Sequence, residues 1–402
     1  MCANIIDEVC EQLGISKESD YFGLKYVSKG EELWLNLRNS IDKQVPIHNS
    51  LRFALRVKFW VPPHLLLQET TRHHFYLHAR LDLIEKRLIA SDWDTVAKLR
   101  ALIAQVETGD YDPLHVANYN QTSTITKLEP DDKPQDLVQR VIAHHKNCKD
   151  MKASTAEYWL LKEVETLEGF GQEIFQSKPT GSVLGVGPHG ITVYENDKNN
   201  QVIPFTAIQS ASSHKRMFRL EYTGQEGEVT ILETKFDTNH VASSLYRSIT
   251  EKHAFYSCET VRSAVTDQFI RDLKGTIVSI FNEDSSLGKK YVFDIRRTCR
   301  EVYDNARRAL YQEDQLLSQN IHDLANRCDG ENCEDSQKLA RLLDALTCNI
   351  CMDCQIDTAF LPCFHMLACS TCASKCERCP LCRADITQAQ KIYFPGEFKQ
   401  VC

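Results

Sequence analysis

Residues Cys348 to Cys382 read CNICMDCQIDTAFLPCFHMLACSTCASKCERCPLC, and the cysteine spacing in this stretch decides how the end of the chain folds. Cys348/Cys351, Cys369/Cys372 and Cys379/Cys382 are pairs separated by two residues, and Cys363-Phe-His365 is a shorter step between them, giving seven cysteines and one histidine for eight ligand places. Eight ligands make two tetrahedral sites. Thiolate with imidazole selects zinc, and a closed four-ligand site has no open position for a catalytic water, so the metal is expected to fold the segment rather than perform chemistry. The competing reading is a disulfide cluster, which needs an oxidising compartment. Met1-Cys-Ala-Asn-Ile-Ile-Asp-Glu has neither the basic start nor the apolar run of a secretory leader, so a reducing compartment and zinc are expected. Of 17 cysteines, 11 lie between Cys328 and Cys382, which marks a separate module. Cys354 and Cys376 are left over and are expected to be single thiols.

The whole chain bounds the rest. Its 402 residues suit two to four domains, and 42% hydrophobic with 25% charged residues is an ordinary globular composition. A net charge of -8 argues against nucleic acid as a partner, because phosphate binding needs a basic field. No apolar run approaches a membrane span; Phe59 to Leu67 is short and broken by Pro62 and Pro63. The expectation is a cytoplasmic protein, soluble or peripheral to a membrane.

Taken in order, Ile5, Ile6, Val9, Cys10 and Leu13 recur at helical spacing before Gly14. Tyr21 to Val27, Trp34 to Leu37 and Leu51 to Val61 alternate apolar with polar and read as strands. From His64 to about Gly171 the period is helical: Leu65 to Ile84, Trp93 to Val106, Leu137 to His145 and Thr155 to Leu167. Period two returns in Ser182 to Val186, Gly190 to Tyr194, Val202 to Phe205, Met217 to Tyr222 and Glu228 to Glu233, followed by an amphipathic helix from Asn239 to Phe255. Short strands closed by one helix suggest a small capped sandwich.

This order, a helix-rich lobe between two strand-rich lobes, resembles a FERM domain. The words that carry the resemblance are Tyr21-Phe-Gly-Leu, Leu55-Arg-Val-Lys-Phe-Trp-Val, Leu66-Leu-Gln-Glu-Thr-Thr-Arg-His, Gly109-Asp-Tyr, Leu184-Gly-Val-Gly-Pro-His-Gly-Ile and His253-Ala-Phe-Tyr. The resemblance implies a multidomain α+β chain: a ubiquitin-like lobe at 1–62, a helical bundle at 63–171 and a PH/PTB-like sandwich at 172–260. The chain starts at the helix of the first lobe, where a ubiquitin-like lobe would first make a β-hairpin, so that lobe is expected to be partial, with an exposed sheet edge and apolar face.

The cysteine module resembles the RING finger of ubiquitin ligases, in which the first and third ligand pairs hold one zinc ion and the second and fourth the other. The resemblance therefore assigns Cys348, Cys351, Cys369 and Cys372 to one ion, and Cys363, His365, Cys379 and Cys382 to the second. It also implies that Ile350, Pro380 and Leu381 form the apolar surface for a ubiquitin-conjugating enzyme carrying ubiquitin. Arg383 matches the cation that touches that enzyme and its ubiquitin. On the bland reading, Ile350 and Leu381 fill the small core between the zinc ions.

Between the two domains, residues 261–317 form a helical extension that FERM domains generally lack, with Arg296, Arg297, Arg300, Arg307 and Arg308 read as the solvated face of a helix. FERM, extension and RING together resemble the family of the myosin regulatory light chain interacting protein, the inducible degraders of the low-density-lipoprotein receptor. A linker follows at 318–336 with Cys328 and Cys333, read as free thiols, because two cysteines alone complete no metal site. Glu334 to Thr347 repeats Leu339, Leu342, Leu343 and Leu346 as a one-faced helix opening the last domain, 337–402. After the RING, Lys391-Ile-Tyr-Phe-Pro395 resembles the family's dimerisation tail, with Ile392 and Phe394 as the buried pair; a fold back onto its own zinc module is the alternative.

The family implies a RING-type ubiquitin ligase that recruits a client through its FERM domain, probing lipoprotein-receptor cytoplasmic tails with Tyr256 and Thr260, at the plasma or endosomal membrane. A core role for Tyr256 competes with that assignment. Two other readings stay open: an adaptor between membrane and cytoskeletal proteins with a non-catalytic RING, and a ligase for another client such as myosin light chain or a caspase-type protein.

Overall fold

The first helix, α1 (Cys2–Gln12), turns Ile6 and Cys10 onto one fully buried stripe. An antiparallel sheet follows, of β1 (Phe22–Ser28), β2 (Glu31–Trp34) and β3 (Ala54–Val57) in the order β2-β1-β3. In this computed structural model the described residues are 2–28, 31–37, 40–45, 52–113, 134–194, 200–224, 227–261, 295–325 and 347–392. The alternating run Leu51 to Val61 yields only the short β3. Its ladder stops because the amides of Lys58 and Phe59 both donate to the Tyr21 carbonyl, at 2.9 and 3.0 Å, and Pro62 follows. The described chain forms two compact units, 1–61 with 168–305, and 62–167 with 306–402.

In the first unit, the extension after residue 294 is pinned to the partial lobe. Ile295 is buried in a cleft shared with Phe22, Leu35 and Leu37, so the apolar face expected to lie open is covered in part. Arg296 pairs with Asp7 at 2.6 Å and Asp20 at 2.8 Å, and Arg297 with Asp20 at 2.6 Å. These two arginines therefore do not belong to a solvated helix face, as the sequence suggested. They precede α7 (Cys299–Ala325), which Thr298 and Glu301 open as a capping box: the Glu301 carboxylate accepts from the Thr298 amide at 2.9 Å and the Thr298 hydroxyl from the Glu301 amide at 3.3 Å. Arg300, Arg307 and Arg308 lie in α7 and are exposed.

The same unit holds the sandwich. One sheet runs β4 (Glu173–Gln176), β5 (Val183–Gly187), β6 (Gly190–Tyr194), β7 (Gln201–Ile203); the other runs β10 (Val229–Lys235), β9 (Met217–Thr223), β8 (Ile208–His214). Gly190 turns β5 into β6 at φ 133°, and a side chain there would collide with the Ile203 carbonyl. The helix α6 (Asn239–Ser257), capped by Thr238, drops Leu245 and Ile249 into the core of Leu184, Val186, Phe218 and Leu220.

α6 also carries buried charge. Glu251 is buried between Lys58 and Arg247, each at 2.8 Å. Burial alone would raise its carboxyl, but the two cations hold it down at about 2. Lys252, also buried, donates to the carbonyls of Gly171 at 3.2 Å and Val186 at 2.5 Å. Burial lowers its ammonium to about 8.

The second unit contains the bundle of α2 (Glu69–Ile84), α3 (Trp93–Thr108), α4 (Leu137–Lys146) and α5 (Ala153–Val164); α3 packs on α4 and α5, and α2 on α5. Asp92 caps α3 by accepting from the Thr95 amide at 2.8 Å. Packed with this bundle is a small zinc-module sheet of β11 (Thr358–Leu361), β12 (His365–Ala368) and β13 (Gln388–Lys391) in the order β12-β11-β13, with the single turn α8 (Ser370–Ala373). Among the described residues no helix is long and apolar enough to cross a membrane. Of the helix expected from Glu334 to Thr347, residues 334–346 lie outside the described residues, as do the thiols Cys328 and Cys333, while Thr347 pairs with Gln355 in an isolated bridge.

Glu251→Gln is expected to leave Lys58 and Arg247 without their shared counter-charge, lowering unfolding free energy by roughly 3 kcal/mol in denaturant titrations. The carboxylate's contribution is complete above its ordinary value of 4.5 and is lost as pH falls towards 2, so the variant's stability is also expected to depend less on pH across that window.

Candidate zinc centres and docking face

Two tight knuckles set the first and last ligand pairs. In the first, the Met352 amide donates to the Cys348 carbonyl at 2.8 Å; in the last, the Arg383 amide donates to the Cys379 carbonyl at 2.7 Å. Met352 and Arg383 both take left-handed backbone, at φ 55° and 62°, which folds each loop back so that its two thiols point the same way. Between the knuckles, the turn from β11 to β12 carries Cys363 and His365, while Cys369 opens α8 and Cys372 lies within it.

The fold crosses the pairs. Cys348, Cys351, Cys369 and Cys372 bring their sulfur atoms within 4.8 Å of one another, all buried; Cys363, His365, Cys379 and Cys382 do the same with a more exposed set. The distances fit zinc. Tetrahedral ligation with Zn–S near 2.3 Å puts two sulfurs about 3.8 Å apart and a sulfur about 3.6 Å from an imidazole nitrogen. The Sγ atoms of Cys351 and Cys369 are 3.9 Å apart, and Cys379 Sγ is 3.7 Å from His365 Nδ1. Crowded thiols cannot all ionise unaided: hydrogen bonding with Cys348 pulls the Cys351 thiol down and pushes those of Cys369 and Cys372 up. A dication shared by all four resolves that conflict. These are two zinc-binding sites, and the donor pairing is the one the resemblance implied.

Cys354 and Cys376 enter neither cluster. Cys354 offers its backbone carbonyl to the Cys348 amide at 2.7 Å, and burial pushes the Cys376 thiol up to about 12.

The four residues assigned to an enzyme-docking face do not share one environment. Leu381 is 53% exposed and the Arg383 side chain 62%, but Pro380 is buried and Ile350 is only 1% exposed. Besides the zinc module's own side chains, the helical bundle contributes to the surroundings of Ile350. Tyr158 of α5 joins its buried cluster, and Arg72 of α2, itself fully buried, donates to the Ile350 carbonyl at 3.0 Å and to Met352 Sδ at 3.4 Å. The Arg72 guanidinium also lies 5.5 Å from the centre of the Tyr158 ring. At the rim Lys152 meets Asp353 at 2.6 Å and Arg383 approaches Glu165 at 3.8 Å.

Tyr256 is half-buried at the end of α6. Its hydroxyl donates to the Trp60 carbonyl at 2.9 Å and its ring stands edge-on to Phe59 and Phe255. Thr260 is exposed. Ile392 is half-buried and its amide donates to the Asp357 carbonyl at 2.7 Å, directly after β13 pairs with β11. Phe394 lies outside the described residues. Sequence reasoning did not find Arg72, whose one signal is a cation at helical spacing from Phe75, Tyr76 and Ala79.

Comparison with known proteins agrees with this layout. Family models for the FERM N-terminal domain match residues 1–46, for the FERM central domain 61–175 and for the FERM C-terminal PH-like domain 176–264; a C3HC4-type RING zinc finger matches 344–389. The chain carries a FERM domain and a RING finger. Protein 4.1 of Canis lupus familiaris and of Bos taurus are each 28% identical over 275 residues, covering 66% of this chain and 33% and 43% of theirs. This chain thus spans less than half the length of those relatives. The solved complex of the Drosophila Merlin FERM and C-terminal domains is similar in fold, at TM-score 0.54 and 21% identity over 66% of this chain and 91% of that one.

The purified chain is expected to hold two zinc ions, released in two phases by a chelator. The ion at Cys363, His365, Cys379 and Cys382 is expected to leave first because Cys382 is exposed, whereas the other site is wholly buried. Colorimetric zinc release checks this, and Cys382→Ser should remove the fast phase alone.

Proposed function

We propose that the chain is a RING-type ubiquitin ligase that brings a client, held by its FERM domain, to a ubiquitin-charged conjugating enzyme. The observation that carries this reading is the closed, crossed pair of zinc sites, with Leu381 projecting between the last two ligands and Arg383 directly after them. Neither zinc site has a position for a water nucleophile, so the module's contribution is positional. The client's lysine amine attacks the thioester carbonyl, an amide bond forms, and the conjugating enzyme's cysteine leaves as thiolate. The RING accelerates that step by holding donor and enzyme in a reactive pose.

For the client we propose lipoprotein-receptor cytoplasmic tails, on the family resemblance. The edge strand β8 lies beside α6, and an extended peptide adds to such an edge by backbone hydrogen bonds. Tyr256 and Thr260 close the end of that helix. Membrane attachment would be peripheral, and the tail from Ile392 onward is proposed to pair two copies of the chain.

Burial of Ile350 favours a second reading, a FERM adaptor whose RING is only a folded appendage. The readings separate in a reconstituted assay with activating enzyme, conjugating enzyme, ATP and ubiquitin. The ligase is expected to build ubiquitin chains on itself, and Leu381→Ala to cut the rate by about tenfold while both zinc ions stay bound, the loss of an interface residue worth more than about 1 kcal/mol. A chain inert with every conjugating enzyme tried supports the adaptor.

The client assignment is checked by capture of receptor tails on beads. Tyr256→Ala and Thr260→Ala are expected to reduce capture, with melting curves confirming the fold; equal capture by all three proteins contradicts the groove.

A further inference from the structure

Resting on the ligase reading, we propose that the α2–α5 face of the helical lobe is an inhibitory dock for the chain's own RING, which shields Ile350 from the conjugating enzyme until the dock opens. Ile350 lies between the first two zinc ligands, where an enzyme-docking side chain has to reach solvent, yet it is 1% exposed. What covers it is not the RING alone. Arg72 holds the Ile350 carbonyl and the Met352 sulfur, and Tyr158 packs in the same buried cluster. Two rim pairs, Lys152–Asp353 and Arg383–Glu165, engage the loops on both sides of the assigned face. The lobe and the enzyme therefore compete for Ile350 and Arg383, while Leu381 stays open as a first foothold.

The chemistry of the contact makes it separable. Arg72 is fully buried, and its guanidinium gives up hydration for partners that include a carbonyl, a thioether and an aromatic face; a buried charge recovers only part of that cost. Its charge also acts on the buried Glu157, which His73 contacts at 2.6 Å. The rim pairs are partly solvated, and such pairs add little. A dock built from these parts closes weakly enough for a partner to displace it. If the closed form holds about nine chains in ten, it weakens the apparent affinity for the enzyme about tenfold.

The test is discharge of ubiquitin from a charged conjugating enzyme to free lysine, catalysed by the full-length chain, which needs no client. Arg72→Glu is expected to speed discharge about tenfold and Lys152→Glu about twofold, from the population shift above. Adding Ile350→Ala to Arg72→Glu is expected to abolish the gain. An Arg72→Glu chain that keeps two zinc ions and discharges no faster than wild type overturns the proposal while leaving the ligase reading intact. If Arg72→Glu loses zinc, Lys152→Glu decides: discharge at the wild-type rate overturns it. Silence of wild type and every variant overturns the ligase reading and this proposal together.

Discussion

Two tetrahedra of thiolate and imidazole hold residues 348–382 in shape. A segment this short, with its few apolar side chains, has too little core to offset its conformational entropy, and metal binding supplies the difference. The crossed pairing matters as much as the ions. Because the first knuckle shares its metal with α8, and the β11–β12 turn shares its metal with the last knuckle, the loops bearing Ile350, Leu381 and Arg383 are each tied to the centre of the module. Loss of either site would free one half of that face.

The same rigidity makes the contact with the helical bundle informative. A loop fixed by metal bends little, and the bundle meets it at the Ile350 carbonyl and in the buried cluster that holds both Ile350 and Tyr158. At the carbonyl the bundle presents a cation, Arg72, in place of an apolar plug. The choice trades affinity for reversibility: an aliphatic residue there would bury area at no desolvation cost, whereas the guanidinium carries one. At Glu251, a buried charge is held between two opposite charges, Lys58 and Arg247.

Much of this was readable in the amino-acid pattern, because both metal-ligand spacing and hydrophobic period are local signals. The zinc donors, the four bundle helices and α6 fall where spacing and period put them. The misses are also physical. β8, Ile208 to His214, is mostly polar and small, so no alternation marks it, and β4 is only four residues long. Leu51 to Val61 alternates over its full length, but the doubly used Tyr21 carbonyl ends the ladder at Val57. Arg296 and Arg297 read as unpaired positions on a helix face, because the aspartates that hold them, Asp7 and Asp20, lie far away in sequence. Arg72 and Ile350, separated by 278 positions, illustrate the limit: each side chain was in view, and only the tertiary fold brings them together.

The most direct test of the account is the methyl resonance of Met352, whose sulfur is 3.4 Å from Arg72 in the docked state. With methyl-labelled methionine in the full-length chain, titration of a conjugating enzyme is predicted to move this signal from its wild-type position towards that of Arg72→Glu. A Met352 signal that stays in place while the enzyme binds would mean that the contact persists in the working complex, and would contradict the account.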